Sequence, residues 1–117
     1  MTISPSPESE RPVGEALRGI VPKLVEIANT VIFGEIWKRP ALSRRDRSLI
    51  TLAVLVTMGR EKHIHDHLTR ALQNGVTKEE ISELLTHLAF YAGWPAAMTG
   101  AAVAKDVFEK TRLLHSN

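Results

Sequence analysis

Residues 42–60 read LSRRDRSLITLAVLVTMGR, and this stretch decides the fold. Ser43 followed by Asp46 is typical of a helix start, because a hydroxyl caps backbone N–H groups and a first-turn carboxylate complements the helix dipole. Residues 49–56 are apolar on nearly every side, which is typical of a helix surrounded by its neighbours or by another subunit. We therefore predict a core helix over about residues 44–58.

Apolar residues recur at helical spacing through the rest of the chain, and no alternating run indicates a strand. We predict an all-α fold with about six helices joined by short loops. Two of the other five precede the core helix: the first buries Ala16, Leu17 and Ile20, and the second runs from Pro22 to Gly34 and buries Leu24, Ile27, Ala28, Val31 and Ile32. Three follow it. They are a helix over about 61–73, a helix opened by a Thr77–Glu80 capping box that buries Ile81, Leu84, Leu85 and Leu88, and a helix from Pro95 that is rich in small residues.

The 117 residues include 44% hydrophobic positions and a net charge of +2, which is the composition of one ordinary domain. We predict a single domain over residues 12–117, preceded by a disordered tail over residues 1–11 that is rich in Ser, Pro and Glu. Most cations have an acidic neighbour within a helical turn and no block of one charge sign occurs, so we expect no nucleic-acid partner. No segment has the length of a membrane span or the pattern of a secretion signal, so we expect a cytoplasmic protein without a membrane partner.

The chain contains no cysteine. This absence excludes a disulfide framework, a thiolate zinc site, an iron–sulfur cluster and any redox mechanism that needs a thiol pair.

Three of the five histidines lie together in the sequence HIHDH, residues 63–67. On a helix His63 and His67 are about 40° apart around the axis, whereas His65 faces roughly the opposite way. The outer pair can ligate a metal as neutral imidazoles, or can serve as general acid and base, because an ordinary imidazole titrates near neutrality. The alternative is a solvated helix that carries polar histidines, and we expect this for His65 and Asp66.

A second candidate group closes the fifth predicted helix. His87 is followed by Phe90, Tyr91 and Trp94, so an imidazole stands next to amphipathic rings of the kind that line small-molecule pockets. We predict that His87 points inward or toward an interface and is catalytic, and that Tyr91 and Trp94 bind substrate. The alternative is that these side chains only pack.

Three further residues are candidates for substrate binding. Glu35 and Trp37 lie in an irregular connection, where backbone geometry can aim a side chain into a cleft. Glu35 is either a pocket carboxylate or a solvated loop residue. Arg60 is a candidate because it would attract a substrate carboxylate if it faces the cleft.

The order and spacing of the motifs resemble those of the carboxymuconolactone decarboxylase family, within the alkylhydroperoxidase D-like superfamily. The resemblance covers about residues 20–108, and the segment FGEIWKRPALSRRDRSL is closest to the branch often joined to cupin domains. The motifs that carry it are LSRRDRSLITLAVLV at residues 42–56, Gly59 with Arg60, HLTRALQNGVT at residues 67–77 and HLAFYAGWPAA at residues 87–97.

The resemblance implies an AhpD-like helical bundle that is an obligate homotrimer or homohexamer, with pockets near the subunit interfaces. It implies cofactor-independent decarboxylation of a lactone acid in aromatic catabolism, because the other activity of the superfamily, hydroperoxide reduction, needs a CxxC thiol pair. His67 stands where the family has the His of an ExxxH motif. His63 occupies the position of the motif Glu, so a mechanism that relies on Glu and His together does not transfer intact.

Three functional hypotheses follow. The first is a carboxy-lyase or proton-transfer enzyme without a cofactor, acting on a small carboxylated or lactone substrate. In it a cationic His67 stabilises and protonates the carbanion, assisted by His63, His87 and Tyr91. The second is a protein that binds a divalent metal such as zinc, nickel or copper through His63, His67 and His87. The third is a noncatalytic ligand-binding homo-oligomer of the same fold.

Overall fold

The computed structural model describes residues 13–115, with side chains described as far as Leu113, so the predicted tail over residues 1–11 lies outside this range. The α-helices are α1, Pro22–Ile27; α2, Arg44–Met58; α3, Glu61–Gln73; α4, Lys78–Leu88; and α5, Trp94–His115. Glu15–Leu17 and Ile36–Lys38 are single 3₁₀ turns, and Ala28–Ile32 is a π turn that continues α1. No strand occurs within the described range, so the all-α prediction is confirmed.

These elements form two compact units, the first ending at Arg44 and the second beginning at Arg45. Each unit is described by itself below. A single domain over residues 12–117 stays a prediction.

The prediction of a first helix that contains Ala16, Leu17 and Ile20 is wrong, because this segment forms only one 3₁₀ turn, Glu15–Leu17. Gly14, which precedes it, has a left-handed backbone with φ of 68°. Val21 has φ of −130° and ψ of 65°, outside the helical region, because the ring of Pro22 crowds the backbone of the residue before it. The chain therefore cannot run as one helix from residue 15 into α1.

Hydrogen bonds of Asn29 hold the first unit together. Its Oδ1 accepts from the N–H of Val13 at 2.6 Å, and its Nδ2 donates to the carbonyl oxygens of Val13 at 3.0 Å and Val25 at 2.9 Å. Val25 is the buried apolar residue of α1. The predicted burial is wrong for Ala16, Leu17, Ile20, Leu24, Ile27, Val31 and Ile32, which are exposed; Ala28 is half-buried. Periodicity identified one face of α1, but this short unit buries almost none of it.

The second unit has its core at the centre of α2–α5. Leu52, on α2, is 1% exposed. The prediction that α2 is the core helix is confirmed for one face only, because Ile50, Val54 and Met58 form an exposed stripe on another face. The core consists of Leu52 and Val56 of α2, Ile64, Leu68 and Ala71 of α3, Val76 of the connection before α4, Ile81 and Leu85 of α4, and Ala104 and Val107 of α5.

The helix boundaries of the second unit follow from local signals. Gly59 and Gly75 adopt left-handed backbones, with φ of 68° and 94°, which end α2 and α3. The predicted capping box is confirmed: the N–H of Glu80 donates to the Thr77 hydroxyl at 3.1 Å, and the N–H of Thr77 donates to the Glu80 carboxylate at 2.9 Å. The same carboxylate pairs with Arg45, which ties the start of α4 to the start of α2.

Gly100 sets the closest approach of α5 to its neighbours. A Cβ at this position would lie 2.7 Å from Leu85 Cδ2 and 3.3 Å from a methyl group of Val56. A side chain at residue 100 would therefore separate α5 from α4 and α2. The small residues predicted for this helix thus have a packing role at this position.

Within residues 13–115, none of the helices has both the length and the apolar character needed to cross a membrane.

Candidate functional site

Helix α3 carries the candidate catalytic residues on one side of its buried stripe. Ile64, Leu68 and Ala71 are buried and fix the rotation of the helix against the core. His63 and His67 lie roughly a quarter turn to one side of this stripe, and His65 lies a quarter turn to the other side. The structure therefore separates His65 from the outer pair, as the sequence predicts.

His67 is half-buried, and its imidazole is neutral at pH 7. Its pKa is lowered from the ordinary value of 6.5 to about 4: burial is the largest cause, the positive charge of Arg70 also lowers it, Asp66 opposes the change and His63 adds a smaller lowering. The prediction of a cationic His67 is wrong for the free protein at neutral pH, because desolvation penalises the charged imidazole.

The lowered pKa of His67 makes stability depend on pH. The unfolded chain binds more protons than the folded one between pH 6.5 and about 4, so the free energy of unfolding should fall as the pH drops through this window. The loss should reach up to about 3 kcal/mol at the acidic end and vanish above the unfolded pKa. Chemical denaturation of wild type and His67→Gln from pH 4 to pH 8 checks this: the difference between them should shrink toward acid. A constant difference would contradict the lowered pKa.

His63 is exposed at the outer end of the same face. Arg70, which sequence reasoning missed, continues this face one turn beyond His67 and is half-buried. Asn74 follows at the end of α3, and its Nδ2 donates to the buried Ser48 hydroxyl of α2 at 3.0 Å. The signal in the sequence was the spacing of four, three and four residues from His63 to Asn74, which places all four positions within about 60° of one another.

On the other side of α3, His65 faces α5. His65 Nε2 lies 3.4 Å from Asp106 Oδ2, and His65 Nδ1 lies 4.0 Å from Asp66 Oδ1. Lys110, 3.1 Å from Asp106, and His65 hold the pKa of that carboxyl below its usual range. His65, Asp66 and Asp106 belong to an open groove of about 780 Å³, whose lining residues are Glu61, Lys62, His65, Asp66, Thr99, Ala102, Val103 and Asp106.

The aromatic group after α4 is brought together but lies at the surface. The rings of His87 and Tyr91 have centroids 4.7 Å apart, and Phe90 contacts Trp94 edge to face at 6.0 Å. His87 is exposed, and Tyr91 is 78% and Trp94 60% exposed. The prediction that His87 points inward is therefore wrong in a single copy, and an interface position stays a prediction. Small neighbours and Gly93 at the helix junction leave these rings with little to cover them.

The other predicted residues lie on different parts of the chain. Arg60 is exposed and precedes α3. In the first unit Glu35 is exposed, and Trp37 is half-buried with its ring stacked on Phe33 at 5.6 Å. Binding roles for Arg60, Glu35 and Trp37 stay predictions.

The predicted metal-binding trio does not form. Among residues 13–115, no three His, Asp or Glu side chains are grouped so that they could hold a metal ion, and this includes His63, His67 and His87. His63 and His67 share a face of α3, but His87 belongs to α4.

The sequence model of the carboxymuconolactone decarboxylase family matches residues 22–106, which include α1–α4 and the first half of α5. The chain belongs to this family. The resemblance seen in the sequence motifs is thereby confirmed.

Two proteins similar in sequence to this chain are named as decarboxylases. The 4-carboxymuconolactone decarboxylase of Acinetobacter baylyi is 47% identical over 77 residues, covering 66% of this chain and 58% of the relative. The nitrosuccinic acid decarboxylase of Metarhizium robertsii is 34% identical over 80 residues, covering 68% of this chain and 56% of the relative. The chain thus spans somewhat more than half the length of each. An uncharacterized 15.0 kDa protein of Paracoccus denitrificans is 26% identical over 95 residues, covering 80% of this chain and 71% of the relative.

Proposed function

We propose that this member of the carboxymuconolactone decarboxylase family is a carboxy-lyase that removes CO₂ from a small carboxylic acid without an organic cofactor. The observation that carries the proposal is His67, a half-buried, neutral imidazole on a face of α3 that also bears His63 and Arg70. The names of the two decarboxylase relatives support the reaction class.

Decarboxylation needs a group that accepts an electron pair and a source of one proton. When the C–C bond to the carboxylate breaks, CO₂ leaves and the electron pair passes into a neighbouring carbonyl or nitro group of the substrate. The N–H of a neutral His67 donates a hydrogen bond to the oxygen that becomes negative, and this stabilises the anion without an initial charge on the imidazole. One proton from water then reaches the carbon, and we assign its relay to His63, which is exposed to solvent.

Roles for the other predicted residues are part of the proposal. His87 and Tyr91 donate hydrogen bonds, and Trp94 forms a wall of the pocket. Because these three side chains are exposed in one copy, the pocket closes only when a second copy covers them. Substrate-binding roles for Arg60 and, separately, for Glu35 and Trp37 of the first unit are also part of the proposal.

The exposed stripe on α2 supports the proposed homotrimer or homohexamer. Ile50, Val54 and Met58 are each more than half exposed and follow one another at intervals of four residues. Apolar patches of this kind mark interfaces.

We expect Val54→Glu to lower the oligomer state, since a carboxylate in an apolar interface loses its hydration, and Val54→Ala to preserve it. Light scattering after gel filtration checks this; a wild-type monomer, or an unchanged Val54→Glu oligomer, would contradict the assignment of the stripe.

The experiment that tests the function is direct measurement of released CO₂ with purified protein. The panel includes 4-carboxymuconolactone, nitrosuccinate and a β-keto acid, each compared with its spontaneous rate. We expect at least one acid to release CO₂ in a reaction that depends on His67. The rate of release should stay within about twofold after dialysis against a chelator, because the proposed chemistry uses no metal. Loss of activity on chelation would return the metal hypothesis, and no release from any acid by folded protein would favour the noncatalytic ligand-binding alternative.

A further inference from the structure

A second concave surface, the α4–α5 groove, lies between these two helices, and α3 contributes no residue to its lining. Its volume is about 340 Å³. The lining residues are Ile81, Ser82 and Leu85 of α4 and Ala101, Ala104, Lys105, Phe108 and Glu109 of α5. Binding sites for small molecules begin at about 300 Å³, so this groove has the size of a site for a compact organic ligand.

The floor of the α4–α5 groove is apolar, since Ile81, Leu85 and Ala104 are buried. Gly100 allows α5 to approach Leu85 closely, and the small side chains of Ala101 and Ala104 leave the space beside this contact unfilled. Along α5 the lining extends from residue 101 to residue 109, about 12 Å at about 1.5 Å per residue. The groove is therefore elongated and offers its floor to a hydrocarbon group.

The rim of the α4–α5 groove carries more positive than negative charge. Lys105 and Glu109 are exposed one turn apart on α5. A second ammonium, that of Lys78, lies 5.4 Å from the centroid of the Phe108 ring, which lines the groove. Among residues 13–113, no carboxylate forms an ion pair with either lysine. Both ammonium groups can therefore attract an anion that enters the groove.

The groove between α3 and α5 has the opposite charge. Its lining includes three carboxylates and one ammonium, that of Lys62, so it disfavours an anion. The two grooves lie on different sides of α5, because Ala101 lines the α4–α5 groove and the adjacent Ala102 lines the other. An acid with an apolar body thus finds a complementary surface in the α4–α5 groove and not in its neighbour.

We propose that the α4–α5 groove binds an amphiphilic monocarboxylic acid, with its hydrocarbon body on the apolar floor and its carboxylate toward Lys105. The hydrocarbon body favours binding because it covers apolar surface that water otherwise contacts. A small, fully polar anion would lose hydration against the floor without gaining such contacts. The site is separate from the proposed decarboxylation, and neither proposal depends on the other.

Binding of octanoate, below the concentration at which it forms micelles, tests the inference. Titration calorimetry with the wild-type protein should give saturable binding of octanoate. Octylamine has the same chain and the opposite charge, so it should bind about tenfold or more weakly. Butyrate keeps the carboxylate on a shorter chain and should also bind about tenfold or more weakly, because it covers less of the apolar floor.

Two variants with matched controls locate the bound acid. Ala101→Phe fills the groove from an exposed position and should lower octanoate affinity by about tenfold or more, whereas Ala102→Phe adds the same ring on the other side of α5 and should change it by less than about twofold. Lys105→Gln should lower the affinity by about threefold, as expected for an exposed ion pair, and Lys62→Gln should leave it unchanged. The lysine pair carries the test if Ala101→Phe does not fold.

Several results would overturn the inference. They are the absence of saturable octanoate binding by wild type, equal losses in Ala101→Phe and Ala102→Phe, and equal losses in Lys105→Gln and Lys62→Gln. A loss in His67→Gln with none in Ala101→Phe would place the acid at the candidate catalytic site instead. Gel filtration of the same variants covers a further occupant: a lower oligomer state of Ala101→Phe would mean that a second copy fills the groove.

Discussion

Replacement of His67 by Gln should lower kcat/KM for CO₂ release by about 10²- to 10⁴-fold, the range typical of a lost proton-transfer or electrophilic group. Gln preserves much of the side-chain volume, but its flexible amide does not hold an N–H donor where the fixed imidazole ring donates to the developing anion. Because the imidazole of the free protein is neutral above about pH 4, the wild-type rate should also fall as the pH approaches that value. Initial rates from pH 4 to pH 8 measure both effects.

His65→Gln is the control for this variant. His65 is two residues away on the same helix and is also half-buried, but it faces α5 and contacts Asp106. Its rate should stay within about threefold of wild type, since nothing in the proposed chemistry uses it. Equal losses in the two variants would mean that α3 tolerates no change at either histidine, and His67 would lose its assignment as the catalytic group.

Replacement of Leu52 by Ala should lower the free energy of unfolding by about 2–5 kcal/mol, the cost of a cavity in a packed core. Leu52 is 1% exposed and belongs to the core shared by α2–α5. A loss of this size is a large part of the total stability of a small domain. Chemical denaturation at one fixed protein concentration measures it, because oligomerisation makes apparent stability depend on concentration.

Leu17→Ala gives the matched comparison. Leu17 is 52% exposed in the turn before α1, so the same truncation removes far less buried surface. We expect a loss below about 1 kcal/mol, in line with surface substitutions. A loss at Leu17 as large as that at Leu52 would show that the first unit buries this side chain in the assembled protein.

The helix positions of the second unit were predictable because residues close in sequence determine where these helices begin and end. The left-handed glycines at 59 and 75 and the capping box at Thr77 act over a few residues, so they can be recognised without the fold. The bounds of α2 and α3 accordingly match the prediction. The opening helix failed because a glycine and a proline outweighed two apolar positions, Leu17 and Ile20.

Burial was harder to predict than helix position. Spacing shows which residues share a face, but it does not show what covers that face. Val54 is therefore exposed in one copy although it lies in the most apolar segment, and Leu24 is exposed although the pattern placed it inside. The contact of His65 with Asp106 joins residues 41 positions apart, so no local pattern contains it.

The candidate site was half visible in the sequence. The pair of His63 and His67 follows from a spacing of four, and the same spacing rule places Arg70 on their face, although an arginine on a helix gives no local signal of a site. The neutral state of His67 could not be predicted, because its main cause is burial. Electrostatics depends on the packed protein, whereas a shared helix face depends only on the number of residues between two positions.

The glycine at residue 100 makes the substitutions that α2, α4 and α5 tolerate at their contact depend on one another. Its missing side chain leaves room for Leu85 and Val56: a methyl carbon added there would lie 2.7 Å from Leu85 Cδ2, which would have to shift, and in tight contact, at 3.3 Å, with a methyl group of Val56. Alanine at residue 100 is therefore harmful in this background and acceptable after Leu85 has become smaller, which is epistasis with a defined order of steps. Lineages that cross this barrier should carry paired changes at these positions, and a double-mutant cycle on Gly100→Ala and Leu85→Ala would measure their coupling.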